Sequence, residues 1–175
     1  MSLHTVSVLV QDKPGVLARV AGLFARRGFN IHSLAVGNTE DDGTSRMTIV
    51  VDVKTKPLEQ VTKQLNKLVN VLKVVELEHG TAVERELVLI KVKAQNGDRA
   101  RVIEIAQIFR ARILDVAHDA LTIEATGNSE KVEALHELLR PFGVIEMVRT
   151  GRIALARGEA ALKDRRLRTV RAETA

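Results

Sequence analysis

Residues 3–30 read LHTVSVLVQDKPGVLARVAGLFARRGFN, and this stretch decides the fold. His4, Val6, Val8 and Val10 alternate with Thr5, Ser7 and Leu9, the two-residue period of a half-buried strand. Pro14-Gly15 breaks the alternation; proline suits the first turn of a helix, where its missing N–H costs nothing. Leu17, Val20, Ala21 and Phe24 then recur at i, i+3, i+4 and i+7, the spacing of an amphipathic helix. Arg26 and Arg27 favour its C-terminal end through the helix dipole, and Gly28 is a good stop.

Outward from there, residues 30–37 form a second strand, residues 38–43 a polar hairpin loop, and Met47, Ile49, Val51 and Val53 alternate on a third strand. Pro57 opens a second helix with Leu58, Val61, Leu65 and Leu68 on its buried face, and residues 71–77 form a fourth strand. Strand, helix, strand, strand, helix, strand is the ferredoxin-like βαββαβ order. Two right-handed crossovers place both helices on one face of a four-stranded antiparallel sheet. Strands two and three carry apolar residues on both faces, so something beyond the helices covers the other face.

The order then repeats. Strands are expected at residues 86–94, 113–118, 121–126 and 144–148, with a helix at 129–139. Val102, Ile105, Ala106 and Phe109 repeat the spacing of Leu17, Val20, Ala21 and Phe24 85 residues later. On that alignment Arg99-Ala100 replaces Pro14-Gly15 and Asp115 replaces Asn30, so the pattern repeats and the site does not. The expected organisation is α+β: two ferredoxin-like βαββαβ domains at 1–79 and 80–150, joined near His79-Gly80-Thr81, and a basic C-terminal tail at 151–175.

Composition narrows the function. The net charge of +5 suggests a nucleic-acid surface until it is located: residues 151–175 hold seven basic and three acidic side chains, so the rest is nearly neutral. RNA-recognition sheets of this shape stack bases on aromatic residues, and here there is no Trp or Tyr, while Phe24 and Phe109 fall on helix core faces. No cysteine is present, no apolar run approaches a membrane span, and the first residues lack the pattern of a signal peptide, which fits a cytoplasmic protein. None of the five histidines stands in ligand spacing, no nucleophile elbow or glycine-rich phosphate loop occurs, and Glu40-Asp41-Asp42 reads as solvated loop charge. Neither a catalytic nor a metal site is expected.

The stretch Asp12-Lys13-Pro14-Gly15-Val16-Leu17, with Gly28-Phe29-Asn30-Ile31, stands apart. Free N–H groups at a helix start form an anion site, and Gly15 lets a carboxylate approach the backbone. Asn30 can donate and accept, so the two segments supply what a zwitterion needs. Asp12 either takes the ammonium or caps the helix. His32 flanks this site.

These residues resemble the ACT domain, a small amino-acid-sensing module. Longer stretches narrow the likeness to the small subunit of acetohydroxyacid (acetolactate) synthase: Val8-Leu9-Val10, Asp12 through Val20, Gly22-Leu23-Phe24, Arg27 through Ile31, Ser45 through Val50, Leu58 through Leu68, Val83 through Leu87 and Ile108-Phe109-Arg110, in the family's order over residues 3–158. The resemblance implies a non-catalytic regulatory subunit that binds and activates a larger one. That partner holds thiamine diphosphate, magnesium and FAD and joins two 2-oxo acids in branched-chain amino-acid synthesis. The small subunit confers feedback inhibition by valine or another branched-chain amino acid, bound where the ACT domains of a homodimer meet. By motif, the expected effector contacts are Asp12, Gly15 and Asn30, with Val16, Leu17 and Ile31 lining the apolar part. Many members carry Asn at the position of Asp12, so a negative charge is added here.

Overall fold

The computed structural model describes residues 3–52, 58–78, 80–95 and 97–158. It divides into two compact units, the first running to Val83 and resuming at Ala154, the second spanning Glu84–Ile153. The first unit contains β1 (Leu3–Gln11), α1 (Val16–Arg27), β2 (Asn30–Asn38), β3 (Thr44–Asp52), α2 (Leu58–Leu65) and β4 (Val71–Leu77). Its sheet has the order β2-β3-β1-β4, with all neighbours antiparallel. β5 (Ala82–Lys93) leads into the second unit, followed by α3 (Asp98–Ile108), β6 (Arg112–Val116), β7 (Ala120–Gly127), α4 (Ser129–Leu139), β8 (Val144–Arg149) and β9 (Ile153–Ala156). Its sheet has the order β6-β7-β5-β8, and β9 pairs with β5. Both units are thus ferredoxin-like βαββαβ folds.

In the first unit the helix-facing side of the sheet is apolar, as its alternation requires. Val6, Val8, Val10, Met47, Ile49 and Val51 pack against Val20, Phe24, Val61 and Leu65. Phe24 and Phe29 meet edge to face with centroids 6.3 Å apart. β1 is not half-buried, however: Thr5, Ser7 and Leu9 on the other face are buried as well. Part of the cover belongs to the same unit, because Leu77 of that face packs with Ala82 and with Ala154 of β9. The segment expected to begin a tail at Gly151 therefore carries a strand, tied down by Arg157 N–H donating to the Thr81 carbonyl at 2.9 Å. A four-residue strand of Ile, Ala, Leu and Ala is too short for its alternation to stand out within an Ala/Arg-rich stretch. Pro57, His79 and residues 159–175 lie outside the described residues.

The internal repeat is real but its spacing differs from the expected one. The ladder irregularity between Leu9 and Val10 recurs between Lys91 and Val92, and that between Ile31 and Ser33 recurs between Ile113 and Asp115. The N-cap glycines are Gly15 (φ 82°) and Gly97 (φ 89°). Phe29 N–H to the Phe24 carbonyl is matched by Ala111 N–H to the Ala106 carbonyl. All these pairs lie 82 positions apart, so Val102 answers Val20, Gly97 answers Gly15 and Arg112 answers Asn30. Arg99-Ala100 and Asp115 are not the counterparts. A helix presents core positions every three and four residues, so a slide of three preserves the apolar pattern and misleads a spacing argument.

Candidate functional site

β1 delivers the chain to a tight turn. Asp12 N–H donates to the Gly43 carbonyl at 2.8 Å, which ties the end of β1 to the β2–β3 hairpin. Val16 N–H donates back to the Lys13 carbonyl at 3.3 Å, closing a turn with Pro14 and Gly15 at its centre. Gly15 has φ 82° and ψ −6°, the dihedrals of the third residue of a type II turn, where glycine is favoured. It is also the N-cap of α1, which receives no side-chain capping bond. Asp12 therefore does not cap the helix, and Gly15 precedes the first turn rather than lying within it; its left-handed φ keeps it out of the helix. A Cβ on Gly15 would meet nothing within 4 Å. The N–H groups of Gly15, Leu17 and Ala18 have no acceptor among the described residues, and no acidic side chain stands in the first turn. Unbonded donors and an uncompensated helix dipole together make this end of α1 receptive to a carboxylate.

The other expected contacts divide. Asp12 and Gly15 are exposed, and Leu17 is 43% exposed at the helix start. Val16 is 4% exposed and belongs to the core, where it anchors the turn from beneath. Ile31 packs against the same core, and Asn30 and His32 are exposed on β2. Asn30 stands opposite Asp52, which stands opposite Leu3, whereas Gln11 stands opposite Thr44. Asn30 is thus level with the start of β1 and Asp12–Gly15 with its end. Eight residue steps at about 3.3 Å each separate the two groups by about 26 Å. One chain does not bring them together.

Three polar residues that the sequence did not single out brace the turn. Asn70 donates from Nδ2 to Gln11 Oε1 at 2.8 Å and accepts from Arg19 Nη1 at 2.9 Å, and Gln11 N–H donates to the Asn70 carbonyl. Their signal is topological, since β4 lies beside β1. The stretch Val83 through Leu87 also finds a structural part: Glu84 meets Arg152 at 3.3 Å, with both side chains largely shielded from solvent. On α4, Glu133, His136 and Glu137 bring one ligand atom each within 4.8 Å of one another, a grouping at i, i+3, i+4 on one helix. Its carboxylates already face guanidinium groups: Glu133 meets Arg149 at 2.8 Å and Glu137 meets Arg140 at 3.3 Å. The Arg149 hydrogen bond, with His136 adding to it, holds the Glu133 carboxyl below its ordinary value against the opposing effect of burial.

Residues 6–73 match the family model described as the AHAS small subunit-like ACT domain, and residues 85–158 match that of the small subunit of acetolactate synthase. This chain belongs to the acetolactate synthase small-subunit family. The acetolactate synthase small subunit of Mycobacterium leprae is 61% identical over 155 residues, covering 89% of this chain and 92% of the relative. That of Mycolicibacterium smegmatis is 59% identical, with coverage of 89% and 91%. The crystal structure of the small subunit from Thermotoga maritima superposes with a TM-score of 0.83 at 44% identity, covering 91% of this chain and all of that one. As a small subunit the chain is regulatory and non-catalytic, works with a catalytic partner that carries the cofactors, and has in its first unit an ACT regulatory domain. Among the described residues no helix is long and apolar enough to cross a membrane.

Proposed function

We propose that the first domain binds a branched-chain amino acid, valine foremost, at a site shared by two copies of the chain, and that occupancy sets the activity of the catalytic subunit. The separation of Asn30 from Asp12–Gly15 carries this reading. β2 is the outermost strand of its sheet among the described residues, and an outer strand is the natural place for a second strand to add. A two-fold antiparallel pairing centred on Leu34 sets Leu34 against its copy and Asn30 against Asn38 of the second chain. Asn38 is level with Ser45 and Val10, beside the end of β1 that carries Asp12 and Gly15. The pairing thus brings Asn30 of one chain to the end of the sheet where the other chain carries its unbonded amides, twice per dimer.

At such a site the amides of Gly15, Leu17 and Ala18 take the carboxylate, Asp12 and the Asn30 carbonyl oxygen take the ammonium, and Leu17 and Ile31 border the side chain. Val16 supports the turn. The effector shifts activity only through its different affinity for the inhibited and active arrangements, and a site split between chains supplies that difference because binding depends on how the chains sit together. In the absence of effector the subunit raises the partner's activity. Thiamine diphosphate, magnesium and FAD are assigned to the partner, and the assembly to the cytoplasm. Isothermal titration of the full chain, with and without the catalytic subunit, tests the reading. Saturable binding of valine, leucine or isoleucine, abolished by Asn30→Ala, supports it; no binding in either setting rejects it.

A further inference from the structure

The second unit has an open edge of a different character. β8 is the outermost strand beside β5, and Ile145, Met147 and Val148 are 51%, 36% and 59% exposed. From Ile145 to Val148 the exposure is unbroken along the strand, while Val144 and Arg149 at its ends are partly covered. Ile153, in the strand that next pairs with β5, is 57% exposed. Four large apolar side chains on an unpaired edge form the kind of surface that recruits another strand. The opposite edge, β6, is shorter, and its exposed Leu114 and Val116 flank the charged Asp115.

The sequence of β8 argues against its own copy as the occupant. In a two-fold antiparallel pair, residues equidistant from the axis face one another. An axis on Glu146 sets two carboxylates together, an axis on Met147 sets Ile145 against Arg149, an axis on Val148 sets Met147 against Arg149, and an axis on Ile145 sets Val144 against Glu146. β2, by contrast, contains no Asp, Glu, Lys or Arg and pairs about Leu34 without any charge opposed. The residues of β2 suit pairing with a second copy, whereas those of β8 suit an apolar foreign strand that places a basic group opposite Glu146, whose carboxylate is 74% exposed and 3.8 Å from Lys91.

We propose that the β8 edge is a docking surface for the catalytic subunit, taking from it an apolar extended segment with a basic residue; this rests on the small-subunit assignment. The test uses the full chain with its catalytic subunit and reads three quantities: their association, the oligomeric state of this chain alone, and its heat of binding a branched-chain amino acid. Val148→Lys and Ile145→Lys are expected to weaken association about tenfold or more, the loss of a contact at an interface centre. Glu146→Lys, which leaves the apolar edge in place, is expected to weaken it too, while Leu114→Lys on the other edge leaves it unchanged. Oligomeric state and amino-acid binding stay as in the parent chain. Unchanged association in all three β8 variants overturns the proposal, as does a fall in the oligomeric state of the chain alone, which assigns the edge to a second copy. Failure of the effector reading shows separately, as absence of amino-acid binding in the parent chain.

Discussion

Val16 and Leu17 are adjacent in sequence and opposite in consequence. Val16 is 4% exposed in the core, and Val16→Ala is expected to cost about 2 kcal/mol in stability, read from the denaturant midpoint, with the effector affinity of the folded protein little changed. Leu17 is 43% exposed, so Leu17→Ala is expected to leave the midpoint in place and weaken effector binding. Gly15→Asp places a residue at φ 82°, which costs about 1 kcal/mol even where space is open, and puts a carboxylate at the turn proposed to take the ligand's own. It is expected to remove feedback inhibition in a folded protein. The residues of this turn were legible in the sequence because Pro, Gly and a helix start have a shared local logic. Of the two roles open to Asp12, the structure excludes the cap, since Gly15 holds that position without a side-chain bond.

Among the elements, the helices and long strands could be read because their periods extend over eight or more residues, while β9 could not. β9 nevertheless seats Ala154 against Leu77 and Ala82. Ala154→Asp buries a carboxylate in that cluster and is expected to destabilise the first unit by at least about 1–3 kcal/mol, measured by chemical denaturation. α4 meets β8 through the Glu133–Arg149 ion pair. The folded-state pKa of Glu133 is depressed, chiefly by Arg149, so its contribution is present above the ordinary carboxylate value of 4.5 and is lost as pH falls through the depressed one. Denaturation of the parent chain and Glu133→Gln across pH is expected to show a gap at neutral pH that closes in acid. The gap is small, because Glu133 is 54% exposed.

For the molecule as a whole, what the sequence left hidden is topological. Asp12–Gly15 and Asn30 each carry a recognisable signal, and nothing in their spacing says that they stand at opposite ends of one sheet. That follows from β1 and β2 both running antiparallel to β3 between them, which sets their starts level at one end of the sheet. The same sheet order places β2 outermost, and the proposed pairing of β2 with its copy is what would bring the two groups together across a dimer. The sharpest measurement mixes two variant chains, Gly15→Asp and Asn30→Ala, each expected to lose effector binding on its own. In a mixed dimer one of the two sites draws its Gly15 turn and its Asn30 from the unaltered halves. After free exchange, isothermal titration is expected to recover about a quarter of the parent's sites at parental affinity, the statistical share of one site in each mixed dimer. No recovery, with subunit exchange verified, contradicts a site shared between chains.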